Sequence, residues 1–154
     1  MIASDLTVRS EILIRASRSR VWHALTSAQE FAKWFGCELI GGSFAPGMRA
    51  ELISRTDCSP GEPFYIVVER LEPEHTFTWR WAPGSRKPGE DLSGEGETEV
   101  EFRLEEAEDG TLVTMTESGF DRLSLARRAR VIRENQHGWE VQLKSLGQYA
   151  SQAA

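Results

Sequence analysis

Apolar and polar residues alternate along several segments of this chain, and that pattern indicates strands with one buried face. Residues 6–16 place apolar side chains on one face and charged or hydroxyl side chains on the other. Residues 97–105 alternate in the same way, and Asp109-Gly110 predicts a tight hairpin into the next strand. β-branched and aromatic residues predict further strands over residues 65–81. Together these segments predict an antiparallel sheet of about seven strands.

Helical signals interrupt the alternation in two places. Ser17 or Ser19 is suited to cap a first helix, and Ser27 with Glu30 forms a capping box for a second one, which Gly36 is placed to end. A long helix follows the last strand, with seam positions spaced by four and three residues: Leu125, Ala129, Ile132, Gln136, Trp139, Leu143, Leu146 and Ala150. Strands segregated from helices predict one α+β domain over residues 1–154, its curved sheet wrapped around this helix.

Composition narrows the class of protein. The chain has 154 residues, which suits a single domain, and its formal charge of −6 argues against nucleic acid as the main partner. The first residues lack a secretory signal and no segment is apolar enough to span a membrane, so we expect a cytoplasmic protein. Cys37 and Cys58 lack CxxC spacing; a disulfide between them or, as the favoured state, two reduced thiols fit the sequence.

Charge is distributed unevenly near the end of the sheet. Residues 90–109 carry ten acidic side chains, and residues 122–134 carry five arginines. Both segments are interpreted first as solvated faces. The alternative makes the arginine-rich face a docking site for an acidic protein partner or an anionic ligand. Residues 82–96, rich in glycine and proline, predict a long mobile loop whose role as a lid the sequence leaves open.

Known catalytic motifs are missing from the sequence, and no His or Cys spacing indicates a metal, so we expect neither a metal nor another cofactor. Aromatic residues are the stronger candidates, since they either line a cavity or fill a core: Trp34, Phe35, Trp79, Trp81 and Trp139.

Three polar residues lie on otherwise apolar faces and are further candidates for the site. Gln136 interrupts the helix seam, so it meets a backbone partner, a water or a ligand. Glu69 and Glu117 each follow apolar residues on one strand face. A carboxylate there either turns to solvent or faces a cavity, where it would anchor a ligand or act as an acid or base.

The chain resembles the helix-grip superfamily of StAR-related lipid-transfer domains, birch-pollen allergens and polyketide cyclases. Within it, the chain is most similar to the family of activators of heat-shock-protein-90 ATPase. Four motifs carry this resemblance: VWHALTSAQEFAKWFG (21–36), PEHTFTWRW (73–81), TLVTMTESGF (111–120) and GWEVQLKSLGQY (138–149). The resemblance implies a cavity between the sheet and the last helix that holds an apolar or aromatic small molecule or a lipid.

Three functions are compatible with these observations, ranked in this order. The first is binding of a small hydrophobic or aromatic ligand without assigned chemistry. The second is an enzyme of the cyclase or hydratase type with Glu69 or Glu117 as acid or base. The third is a protein-interaction module of the co-chaperone kind, using the arginine-rich helix face or the loop.

Overall fold

The computed structural model describes residues 6–56, 60–84, 89–93 and 95–152. Its elements follow in chain order: β1 (Val8–Ile14), α1 (Arg18–Thr26), α2 (Ala28–Phe35), β2 (Cys37–Gly41), β3 (Arg49–Ser54), β4 (Pro63–Glu72), β5 (Thr76–Trp81), β6 (Thr98–Ala107), β7 (Gly110–Ser118), a 3₁₀ turn (Phe120–Arg122) and α3 (Leu125–Gln152). This order confirms the α+β prediction and the two short helices after the first strand.

The seven strands form one antiparallel sheet in the order β1-β7-β6-β5-β4-β3-β2. Helix α3 has 28 residues, so it runs about 40 Å. It packs on one face of the curled sheet, which we call the inner face, as a helix-grip fold requires. The register places Trp81 opposite Thr98 and Val100 opposite Glu117. The ends of β5, β6 and β7 therefore meet beneath the helix.

Short-range sequence signals set the ends of the first two helices. The Ser17 side chain accepts a hydrogen bond from the backbone N–H of Arg20 and caps α1. Ser27 ends α1 and caps α2 through the backbone N–H of Glu30. Gly36 ends α2 at a φ of 85°, a left-handed conformation that favours glycine. The predicted caps are confirmed.

The predicted seam of α3 is wrong over its first two turns. Leu125 is 80% exposed and Ala129 is exposed, whereas Arg127 and Val131 are buried. Arg127 and Val131 are buried because the segment after β5 packs against their side of α3. A Cβ at Gly84 would come within 2.6 Å of Val131, so only glycine allows this close approach.

The loop between β5 and β6 is tied to α3 by buried ion pairs. Arg127, whose side chain is 4% exposed, contacts Glu95 at 2.7 Å and Glu90 at 3.5 Å. Arg130 makes two hydrogen bonds to the Glu90 carboxylate, at 3.0 and 3.1 Å. Part of the arginine-rich segment thus binds acidic residues of its own chain. The sequence predicts a solvated face or a docking face for this segment, and at Arg127 and Arg130 that prediction is wrong.

Two further expectations depend on burial and hydropathy. Cys37 is a free, buried thiol, while Cys58 lies outside the described residues. Within the described ranges, no helix combines the length and the apolar character that crossing a membrane requires.

Candidate functional site

Aromatic rings fill the space between the inner face of the sheet and α3. Trp79 of β5 is fully buried, and its ring lies 5.4 Å from Phe102, 5.8 Å from Phe31 and 6.1 Å from Trp139, measured between centroids. Trp139 also contacts Trp81 at 5.8 Å. The alternation of β5 places Trp79 and Trp81 on the same face, where α3 meets them. The interior is therefore a continuous set of packed rings.

Glu117 lies within this aromatic interior and is 0% exposed. Its Oε1 accepts hydrogen bonds from Asn135 Nδ2 at 2.9 Å and Trp139 Nε1 at 2.8 Å. Its Oε2 accepts from Trp81 Nε1 at 2.9 Å and Thr98 Oγ1 at 2.5 Å. We call these five residues the Glu117 cluster. It joins the ends of β5, β6 and β7 to the middle of α3.

Four hydrogen-bond donors converge on the Glu117 carboxylate. An indole N–H and an amide NH₂ only donate, so Trp81, Trp139 and Asn135 all use the carboxylate as an acceptor. Among the described residues, no cation lies within salt-bridge distance of Glu117. The Glu117 carboxylate is therefore buried among dipolar donors rather than beside a cation, which is an unusual arrangement for a core.

Sequence reasoning missed two members of the Glu117 cluster. Thr98 is the first residue of β6, and a threonine at a strand end carries no distinctive sequence signal. Asn135 precedes Trp139 by four residues, so both lie on the same side of α3. The spacing of four residues between Asn135 and the candidate Trp139 could have identified Asn135. The predicted apolar seam of α3 included the neighbouring Gln136 instead.

Three half-buried rings border the Glu117 cluster, and we call them the aromatic patch: Phe35, Phe64 and Trp81. Their centroids are 5.9 Å apart for Phe35–Phe64 and 6.2 Å apart for the other two pairs. Trp139 lies beneath them, 6.2 Å from Phe35. Phe64, at the start of β4, was also missed, because a single phenylalanine at a strand end carries no distinctive pattern. The patch gives the aromatic interior a solvent-accessible edge.

Trp34 and Trp79 have packing roles within the same interior. The indole N–H of Trp34 donates to the backbone oxygen of Ala24 at 2.8 Å, and its ring packs on Phe31. Trp79 is enclosed by rings, and its N–H has no hydrogen-bond partner among the described residues. Trp79 contacts Trp81 and Trp139 of the Glu117 cluster, whereas Trp34 contacts Phe35 of the aromatic patch; both tryptophans are buried.

Gln136 and Glu69 lie apart from the cluster. The Gln136 amide donates to the backbone oxygen of Arg9 at 3.3 Å, which is the first of the three partners considered for it. Glu69 lies on the outer face of the sheet, where it contacts Arg80 at 3.5 Å. Partial burial and the neighbouring Glu99 raise the pKa of Glu69. The structure therefore does not place Glu69 beside Glu117 or in an interior site.

Two clefts lie on the outer face of the sheet rather than beneath α3. The larger, of about 650 Å³, is lined mainly by charged and hydroxyl side chains, including Arg9, His75 and Arg103. The smaller, of about 410 Å³, lies beside Glu69 and Glu99. In the described parts of the chain no group of His, Cys, Asp or Glu side chains has the arrangement of a metal site. Among the described residues, the aromatic interior is therefore distinguished by its side-chain chemistry.

A curled antiparallel sheet around one long C-terminal helix, with two short helices after the first strand, defines a helix-grip domain. The chain belongs to the family described as Activator of Hsp90 ATPase homolog 1-like protein, whose model matches residues 15–151. None of the curated proteins matches the chain.

Solved structures share this fold over nearly the whole chain. Protein MLL2253 from Mesorhizobium loti is 25% identical with a TM-score of 0.72, covering 96% of this chain and 98% of its own. The Aha1 dimer from Colwellia psychrerythraea is 23% identical with a TM-score of 0.69, over 94% and 96% of the two chains. CalU16 from Micromonospora echinospora is 25% identical with a TM-score of 0.61, over 94% and 74%. These similarities support the helix-grip assignment.

Proposed function

We propose that this protein binds a small hydrophobic ligand with an aromatic or other flat apolar body, and that the ligand packs against the aromatic patch. The observation that carries the proposal is the mutual contact of Phe35, Phe64 and Trp81, three half-buried rings at the edge of an otherwise closed core. Large apolar side chains that meet at an accessible edge are typical of ligand sites.

The contacts beneath the patch support the same proposal. Trp81 and Trp139 each use their indole N–H to bind Glu117, which fixes the orientation of both rings. Rings held in this way present their faces without loss of rotamer freedom on binding. The Glu117 cluster would then serve as a rigid support for the patch.

Binding between the sheet and α3 requires rings of the patch to move, because they fill the space that a ligand would take. Phe35 ends α2, next to the left-handed Gly36, and Phe64 is the second residue of β4. Both rings belong to element ends, where side chains reorient at smaller cost than in the middle of a packed strand. We propose that these two rings turn outward, that the ligand enters against Trp81, and that the two ring faces then pack on the sides of the bound ligand.

Catalysis by Glu117 is less well supported. Each carboxylate oxygen already accepts two hydrogen bonds, which uses the four positions that a carboxylate offers. A general base needs one of these positions free to meet the proton it removes. The geometry favours binding over proton transfer.

The test uses N-phenyl-1-naphthylamine, an uncharged fluorescent probe of apolar sites. We expect saturable binding to the wild-type protein, seen as enhanced probe emission and quenched tryptophan emission. Phe64→Leu keeps most of the volume but removes a ring face, so we expect binding about two- to tenfold weaker, as aromatic pairs contribute about 0.5–1.5 kcal/mol.

Phe44→Leu is the matched control for this test. Phe44 is another half-buried phenylalanine, but its ring contacts Phe31 and Phe77 rather than the patch. Binding by this variant should stay within about twofold of wild type. Absence of saturable binding to the wild type, or equal loss in both variants, would reject the proposed site.

A further inference from the structure

The aromatic patch lies next to the buried carboxylate of Glu117. Trp81 belongs to both the patch and the Glu117 cluster, with 2.9 Å between its Nε1 and Glu117 Oε2. Because Glu117 has no cationic partner among the described residues, its field extends through the indole rings to the patch. A low-dielectric interior screens such a charge weakly.

Hydrogen bonding strengthens the effect of this charge on the rings. Both Trp81 and Trp139 donate their N–H to the Glu117 carboxylate, and hydrogen bonds to a carboxylate are stronger and more polarising than those between neutral groups. A polarised indole carries more negative charge on its faces. Those faces already attract cations through the ring quadrupole, and tryptophan does so most strongly.

Arg133, the α3 arginine nearest to Asn135 in the sequence, is exposed, so solvent screens its charge. Two further arginines of α3 do not cancel the field either. Arg127 and Arg130 lie on the turns that precede Asn135, and both are paired with Glu90 and Glu95 of the loop. Their charges are therefore matched within their own cluster. The negative charge of Glu117 has no such match.

We infer that the aromatic patch discriminates its ligands by charge and accepts an organic ammonium group in preference to an anion of the same shape. This inference rests on the proposed function and specifies its ligand class: an apolar or aromatic body that carries a quaternary or protonated amine. The ammonium packs on the faces of Trp81 and its neighbours, with Glu117 behind the indole as the source of the field. Carboxylate and sulfonate ligands are disfavoured at the same position.

The test compares three naphthalenes that differ only in one tetrahedral group at position 2: trimethylammonium, tert-butyl and sulfonate. Each is titrated into the 154-residue protein and followed by tryptophan emission. The tert-butyl compound reports whether the site binds an apolar body at all. We expect the ammonium to bind at least about tenfold more tightly than the sulfonate, and this ratio to persist at high salt, because buried charges are screened little.

Two carboxylate variants locate the source of the discrimination. Glu117→Gln removes the buried charge, so the ratio of ammonium to sulfonate affinity should fall towards one. Glu69→Gln removes a charge from the outer face and should leave the ratio unchanged. If Glu117→Gln fails to fold, Trp81→Phe keeps a ring but removes the polarising hydrogen bond, and it should lower the ratio in part.

The outcomes separate the two proposals. Binding of the tert-butyl compound with sulfonate equal to or tighter than ammonium would overturn the charge inference and leave the proposed function standing. A ratio that Glu69→Gln lowers as much as Glu117→Gln would also overturn it. If none of the three compounds binds, the proposed function fails, and the charge inference fails with it.

Discussion

Glu69 and Glu117 look alike in the sequence, yet the structure gives them different surroundings. Each follows apolar residues at alternate positions of a strand. In β7 those residues face α3, so Glu117 is enclosed. In β4 the apolar run is nearly continuous, and a bulge between Val68 and Arg70 shifts the pairing with β5. The face to which Glu69 belongs therefore depends on tertiary pairing that a single sequence does not contain.

The Glu117 cluster yields the first prediction. Glu117→Gln replaces an acceptor oxygen by an NH₂ group that faces donors, so one side of the side chain loses its hydrogen bonds. We expect the free energy of unfolding to fall by about 2–4 kcal/mol. Urea denaturation measures this loss.

Thr98→Val and Glu69→Gln provide graded controls for the cluster. Thr98→Val removes one hydrogen bond to Glu117 and should cost about 1 kcal/mol. Glu69→Gln alters a partly exposed ion pair and should cost less than about 1 kcal/mol. A Glu117→Gln protein as stable as wild type would show that the four hydrogen bonds to the Glu117 carboxylate do not stabilise the fold.

Cys37 provides a second prediction at this scale. Burial raises the pKa of its thiol to about 12, so the reactive thiolate is scarce at pH 8. In a Cys58→Ser variant, the remaining thiol should react with a disulfide reagent only after denaturant is added. Rapid reaction of the native variant at pH 8 would contradict the burial of Cys37.

At the scale of elements, patterns within one segment were predictable and contacts between segments were not. The alternation of β6 and the caps Ser17, Ser27 and Gly36 follow from residues a few positions apart. The first two turns of α3 were predicted wrongly because the loop after β5 covers them. An arginine is buried there only because loop carboxylates neutralise it, which helical spacing does not reveal.

The contact between this loop and α3 is expected to contribute strongly to stability. Glu95→Gln weakens the pair with Arg127, whose side chain is 4% exposed, and leaves a buried charge partly unmatched. We expect a loss of about 2–4 kcal/mol in the free energy of unfolding. Glu72→Gln is the control, because its pair with Arg70 is exposed on both sides and should contribute less than about 1 kcal/mol. Equal losses in the two variants would contradict the buried pairing.

A second network joins α1, α2 and α3 through Glu30. Burial opposes ionisation of this carboxylate, but hydrogen bonds from Arg20, Tyr149 and His23 outweigh it and lower its pKa to about 2. A lowered pKa in the folded state stabilises the fold above the unfolded pKa, and this contribution is lost as the pH falls from about 4.5 towards 2.

Glu30→Gln should therefore lower stability at pH 7 and lose less stability than wild type on acidification over that range. Melting temperatures at pH 7 and pH 3 measure both effects. Glu38→Gln, which alters an exposed ion pair with Arg55, should leave the pH dependence as in wild type. An unchanged pH dependence in Glu30→Gln would show that the network does not hold the carboxylate ionised.

At the scale of the whole molecule, the helix-grip architecture followed from the order of the elements, and the candidate site followed only in part. Trp81, Trp139 and Glu117 were identified as unusual residues, and the structure brings them together. Asn135 and Phe64 were missed, since their importance arises from distant chain segments that meet across the sheet and the helix. The resemblance implied a cavity between the sheet and α3; among the described residues, packed aromatic rings line this region and have an accessible edge at Phe35, Phe64 and Trp81.

The most direct test of ligand binding at this edge uses the indole N–H signals of the five tryptophans in a two-dimensional ¹H–¹⁵N NMR spectrum. N-phenyl-1-naphthylamine is added, with each signal assigned by a Trp→Phe variant. We predict saturable shifts at Trp81 and Trp139, while Trp22, which packs on Phe77 away from the patch, remains in place. Unchanged Trp81 and Trp139 signals at saturating probe, or shifts centred on Trp22, would contradict a binding site at the aromatic patch.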